Sequence, residues 1–230
     1  MDLATLKTYL APLAEGSMWT LALFFCSAFL AVAVGLVVCL CRLSKSAALS
    51  HAARFYIEVI RGTPLLLQLF YIYYGLPEMG VVIGGFTAGV LGLTLNFGAY
   101  LAELFRSGIQ SVDSGQYEAA RALGLSRLDR LRYIVLPQAL RTVFPALGNY
   151  ALVLVKETSL VAVISVYELM RAGEMLAGAT FQALTVYTMV GVIYFCMCSL
   201  LSWVFRRSEK RLAVPGYWNG AGENHDITKA

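Results

Sequence analysis

Charge is scarce in this chain of 230 residues: 14% of its residues are Asp, Glu, Lys or Arg, 59% are apolar, and the mean hydropathy is +0.68. That balance lies outside the range of water-soluble globular domains and near that of proteins that cross a membrane several times. Histidine is almost absent, with His51 and His225 alone, and the cysteines Cys26, Cys39, Cys41, Cys196 and Cys198 all sit in or beside apolar runs. Neither C-x-C pair has the spaced Cys and His partners of a zinc site, so neither a metal centre nor a disulfide framework is expected. The chain has no Gly-Lys dipeptide and hence no Walker phosphate loop, and it has no H-E-x-x-H and no G-x-S-x-G. An enzyme active site is not expected, and any nucleotide must be bound by another subunit. The net charge of +4 falls in blocks between apolar runs rather than in one basic stripe, which argues for membrane topology and against nucleic acid.

What the chain does have is long uncharged windows. Trp19 to Cys41, Gly62 to Pro77, Met79 to Ala102 and Ala177 to Phe205 carry no charge, and Thr142 to Val166 carries only Lys156 and Glu157. About 20 apolar residues cross a hydrocarbon core, so the windows predict five spans at roughly 19–41, 57–77, 82–105, 139–166 and 180–205. The second is short, and reaches spanning length only if the segment Phe55 to Arg61 extends it. Met1 to Met18 holds Asp2, Lys7 and Glu15 without a basic start and a small-residue cleavage site, so no removable signal segment is expected. Lys and Arg cluster on the first and third connections and after the last span, which predicts an N-terminus outside and a C-terminus in the cytoplasm. No second domain and no internal duplication is evident. Residues 213–230, with Gly216, Gly220 and Gly222 among polar neighbours, are expected to form a flexible tail.

The most ordered polar stretch is the connection 115–137. Gln116 to Leu123 is rich in helix formers, Gly124 supplies a break, Ser126 can cap a second helix carrying Arg127, Asp129, Arg130 and Arg132, and Pro137 is expected to close that helix before the next span. Composition alone allows a loop that faces lipid headgroups. The spacing is more specific: Glu118-Ala119-Ala120, three residues to Gly124, nine to Ile134, then Leu136 and Pro137. It resembles the E-A-A-x(3)-G-x(9)-I-x-L-P motif of the membrane subunits of bacterial ATP-binding cassette (ABC) importers. "EVIRGTPLLLQLFYIYYGLP" (Glu58 to Pro77), "AYLAELFRSGIQSVDSGQYEAARALG" (Ala99 to Gly124) and "KETSLVAVISVYEL" (Lys156 to Leu169) are similar to the polar amino acid permeases of that superfamily.

That resemblance implies an all-α membrane protein of the type I ABC importer kind, a single permease domain of five transmembrane helices with cytoplasmic coupling helices, in the bacterial inner membrane. It implies a translocation path for a polar amino acid, two ABC ATPase subunits that bind ATP and magnesium, a second permease subunit as homo- or heterodimer, and an extracytoplasmic solute-binding protein. This chain itself would hold no cofactor. Glu118, Ala119, Ala120, Gly124 and Arg127 would dock the ATPase.

Lys156 and Glu157 lie more than a dozen residues beyond Arg141, about 20 Å into the bilayer at ~1.5 Å per residue, where charge is expensive. Adjacent side chains on a helix cannot share one face, so at least one must meet a cavity, another helix or a partner. Glu157 could hold the ammonium of an amino acid and Lys156 its carboxylate. Thr158 and Ser159 could donate hydroxyls or release a helix end. Glu157 tilts the expectation toward a cationic substrate. Asn96 and Gln68 are either polar glue between helices or pocket donors. Glu58 with Arg61, and Glu103 with Arg106, have the spacing of ion pairs at helix ends. The alternatives are an ion-coupled secondary transporter or channel, with Lys156 and Glu157 as coupling pair, and a membrane scaffold or sensor with a docking loop.

Overall fold

A computed structural model describes residues 3–212; the expected tail at 213–230 lies outside the described residues. These residues are helical, with no strand among them. The helices are α1 (Leu3–Arg42), α2 (Ala47–Gly62), α3 (Leu65–Glu78), α4 (Gly85–Gln110), α5 (Ser114–Ala122), α6 (Arg127–Ile164), α7 (Leu169–Thr180) and α8 (Ala183–Leu212). Four of them, α1, α4, α6 and α8, are long and apolar enough to cross a bilayer, and α2 with α3 makes a fifth only as a bent pair.

Helix α4 is the axis of the bundle. Leu93, Phe97, Leu101 and Phe105 recur at every fourth position and are all buried, which gives one continuous apolar stripe on a helix that has neighbours on most sides. Helix α1 lies along it, and α2, α3 and α6 pack around it. Helix α8 is the opposite case, exposing Phe195, Leu200 and Trp203 outward as a lipid-facing helix does. In hydrocarbon such contacts are held by close packing and interhelical hydrogen bonds rather than by transfer out of water.

The region expected as a second span, 57–77, is divided between α2 and α3, which meet at 105°. The cause is local. Pro64 disfavours a helical residue ahead of it, and Thr63 accordingly has an extended backbone at φ −120°, ψ 146°. A helix that stops inside a membrane leaves carbonyls without partners, a several-kcal/mol problem in lipid. Gln68 answers it. Its Nε2 donates to the Ile60 carbonyl at 2.8 Å, the Thr63 carbonyl at 3.1 Å and Thr63 Oγ1 at 2.9 Å, while its Oε1 accepts from Asn96 Nδ2 at 3.0 Å. Thr63 Oγ1 in turn donates to the Val59 carbonyl at 2.9 Å. Asn96 and Gln68, both buried, are thus the clamp that lets the span bend.

Two wide π-turns handle two other prolines. Tyr71–Gly75 precedes Leu76-Pro77 and Leu131–Val135 precedes Leu136-Pro137, with bonds from Leu76 N–H to the Tyr71 carbonyl and from Leu136 N–H to the Leu131 carbonyl. A proline ring clashes with the carbonyl four residues back, and one π-turn moves that carbonyl aside. This corrects the expectation at Pro137: the helix does not close there but continues from Arg127 to Ile164.

Gln68→Leu should lower the stability of the detergent-solubilised chain by about 1–3 kcal/mol, because buried carbonyls and Asn96 lose their partner. Adding Asn96→Leu should then cost little more, since the two side chains act as one unit. Thermal melts decide this, and a Gln68→Leu chain that melts with the wild type would show that the clamp does not hold the bend.

Candidate functional site

The break between α2 and α3 opens a cavity of about 560 Å³ whose wall includes Arg61, Thr63, Asn96, Tyr100, Tyr150 and Glu157. Its wall holds one base and one acid, contributed by different helices, together with two tyrosine rings and an amide. The Arg61 guanidinium lies over the Tyr100 ring, 5.1 Å from its centroid, and Tyr100 is tilted against Tyr150 at 6.0 Å. A planar cation on an aromatic face is held without giving up all its donors, so it can still receive a ligand.

The residues anticipated around Glu157 separate. Glu157 and Asn96 reach this cavity together, whereas Lys156 is exposed on another face of α6, toward Cys198 of α8. The roughly 100° step between neighbours on a helix is the reason. Thr158 is fully buried and donates to the Val155 carbonyl at 2.7 Å; Ser159 donates to the Lys156 carbonyl at 2.7 Å. Both hydroxyls therefore close carbonyls where the α-helix tightens into the 3-10 turns Thr158–Ile164. They hold the end of the helix in place.

The two E-x-x-R spacings also differ in outcome. Arg106 Nε donates to both oxygens of Glu103, at 2.9 and 2.6 Å, and its Nη1 reaches Gln110. Glu58, in contrast, is bound by Arg54 Nε at 2.7 Å rather than by Arg61. Arg54 sits one turn before Glu58 on the exposed face of α2, and Arg61 has turned to Tyr100, so the expected Glu58–Arg61 pair is corrected.

The connection between α4 and α6 is a rigid elbow. Gly124 has φ +72°; Leu125 N–H bonds to the Ala120 carbonyl and Gly124 N–H to the Arg121 carbonyl, the two bonds of a Schellman stop. Ser126 then caps α6, accepting from Asp129 N–H at 3.2 Å and donating to Asp129 Oδ2 at 2.6 Å. Glu118, Ala119, Gly124 and Arg127 are exposed, but Ala120 is buried against its own chain. The apolar tips Leu123 and Leu128 are 78% and 72% exposed, and nothing in the spacing of the motif had singled them out.

A second acid is buried away from the cavity. Glu168, outside the spans, is fully buried; burial pushes its carboxyl up, and the bonds it accepts from Met170 and Arg171 N–H, Tyr194 and Thr20 pull it only part of the way back.

Residues 27–214 match the family described as binding-protein-dependent transport system inner membrane component. The chain is 39% identical to the glutamine transport system permease protein GlnP of Escherichia coli K12 over 88% of its length and 93% of that protein's. It is 37% identical to the arginine transport system permease protein ArtQ of Bacillus subtilis 168, over 86% of this chain and 91% of that one. Among solved structures, the crystal structure of an amino acid ABC transporter with histidines superposes with a TM-score of 0.86 at 40% identity, covering 92% of this chain and 99% of the other.

In a cysteine-free background, Val153→Cys and Glu157→Cys should react with a water-soluble thiol reagent through the cavity, and Thr158→Cys should react at least tenfold more slowly because it is buried. Equal rates at 157 and 158 would mean that the cavity wall is not the one described.

Proposed function

Because the chain belongs to the binding-protein-dependent transport system inner membrane component family and is an amino-acid ABC transporter permease subunit, we propose that its cavity is the station at which a polar amino acid crosses the bilayer. The observation that carries this reading is the opposed pair in the cavity wall. Glu157 offers an acceptor for an α-ammonium; Arg61 and Asn96 offer donors for an α-carboxylate. The aromatic rings of Tyr100 and Tyr150 close the sides. With one acid in the wall and Lys156 turned away, the α-ammonium takes up the negative charge and none is left for a cationic side chain. A neutral polar substrate of the glutamine kind fits this wall better than the cationic one that Glu157 alone suggested.

Drive enters at the elbow. Helix α6 is continuous from Arg127 to Glu157, through the π-turn at Leu131–Val135 and past Pro145, about 45 Å at ~1.5 Å per residue, so a push on the loop reaches the cavity along one helix. An ABC ATPase docked on Glu118, Ala119, Gly124, Arg127 and the exposed leucines Leu123 and Leu128 supplies that push, with ATP and magnesium bound on the ATPase. Ala120 serves from within, by seating α5 on its own chain. Two such ATPases, a second permease subunit and an extracytoplasmic solute-binding protein complete the complex. The arginine-rich elbow lies in the cytoplasm, with the C-terminus on the same side and the N-terminus outside, as the bias of Lys and Arg toward the cytoplasm requires.

Reconstituted vesicles containing the permease, its ATPase and the binding protein should take up the amino acid only with ATP; uptake driven by an ion gradient without ATPase would overturn the reading. Glu157→Gln should reduce uptake about 10–100-fold, the worth of one charged hydrogen bond, without disturbing assembly. Gly124→Asp should insert normally yet fail to retain the ATPase on pull-down, because φ +72° disfavours the residue and the new charge sits on the docking face.

A further inference from the structure

The two helices that meet at Gly124 leave between them, with the end of α4, a cavity of about 510 Å³ that transport of the amino acid does not use. Two periodicities build it. Ser114, Glu118 and Arg121 recur at three- and four-residue steps on one face of α5, and Arg127, Arg130 and Leu131 do the same at the start of α6. Leu131 and Val135, together with Ile109 from α4, make part of the lining apolar.

The positive charge of this cavity is not neutralised within the chain. Arg54, Arg106 and Arg171 hold carboxylates, and Arg61, Arg132 and Arg207 lie over aromatic rings, whereas Arg121, Arg127 and Arg130 have neither kind of partner among the described residues. Three guanidiniums against the single carboxylate of Glu118 leave the wall positive, and like charges around one space repel until an acid enters it. Guanidinium forks bind carboxylates and phosphates alike, so charge alone allows a lipid headgroup, a free phosphate or an acidic segment of protein. Distance excludes the first. From Arg141, where the apolar window begins, back to Arg130, α6 descends about 16 Å at ~1.5 Å per residue, while headgroups extend only about 5–8 Å beyond the hydrocarbon. The apolar lining argues against the second, because a bare phosphate has nothing to place there. The exposed Leu123 and Leu128, which flank the arginines in sequence, point to the third.

We propose that this cavity receives an acidic segment of the ATPase, with carboxylates for Arg121, Arg127 and Arg130 and an apolar side chain for the lining. The proposal rests on the elbow being the ATPase contact and adds the chemistry of that contact: the two leucines enter the ATPase, and an acidic projection of the ATPase enters the permease. To test it, the full permease in lipid nanodiscs is titrated with its purified ATPase at about 0.1 M and about 1 M salt, between which the Debye length falls from ~10 Å to ~3 Å. At the lower salt, Arg121→Gln with Arg130→Gln should raise Kd roughly tenfold, the order of one charged hydrogen bond, and at the higher salt variant and wild type should converge. Arg121→Lys with Arg130→Lys keeps the charge and should keep the salt dependence. Either a Gln variant with the wild-type salt dependence or a Lys variant without it overturns the proposal. Should the Gln variant not insert, a photo-cross-linking residue at position 114 of an otherwise unchanged chain decides. The expected adduct is with an ATPase peptide rich in Asp or Glu; an adduct with phospholipid or with a basic peptide overturns the proposal. Failure of the elbow reading itself would appear separately, as a wild-type permease that binds no ATPase at either salt.

Discussion

The constraint on which the rest of this structure depends is that a backbone in hydrocarbon must satisfy its own polar groups. Helices do so by default, and four departures from regular helix here have a named compensation. The bend between α2 and α3 is closed by Gln68 and Thr63, the two proline sites by π-turns, and the α-to-3-10 step by Thr158 and Ser159. Two of these departures border the cavity. An aqueous space large enough for a small solute needs helices that do not pack side by side along their full length, and the bend supplies that gap without leaving open carbonyls.

Charge placement follows the same economy. Arg61 is held on the Tyr100 ring and Glu157 faces the cavity, so both ionisable groups are near polar surface rather than lipid. Lys156 faces elsewhere, and Glu103 with Arg106 forms a pair near the end of α4. The long α6 then joins the elbow to the cavity: its first turn is capped by Ser126 in the elbow and its last α-helical residue is Glu157. The long helix and the bend in α2–α3 are complementary in shape, one spanning from the elbow to the cavity wall and the other leaving the gap that forms the cavity.

Much of this was legible in the residues. Apolar windows located α1, α4, α6 and α8, and the E-A-A spacing located the elbow with its Gly124 turn and Ser126 cap, because turns and caps are set by residues adjacent in sequence. The errors lie where partners are remote or compete. Arg54, one turn earlier, outcompetes Arg61 for Glu58; Pro137 looked like a stop because a π-turn has no sequence signal as strong as a proline; and Ala120, placed by its motif on a docking surface, faces inward because α5 packs on its own chain. The joint roles of Gln68 with Asn96, and of Glu168 with Thr20 and Tyr194, span 28, 148 and 26 residues, too far for periodicity to report.

Composition and local pattern alone determined that this chain lives in a bilayer, about where it crosses, and which loop is ordered, since transfer free energy and backbone preference depend on residues within a turn or two of one another. Tertiary structure alone decided which polar groups face each other: that Glu157 shares a cavity with Arg61 and not with Lys156, and that Glu168 is an anchor. A helix presents a new direction every 100°, and only the packing of its neighbours selects which of those directions opens on water, lipid or another side chain.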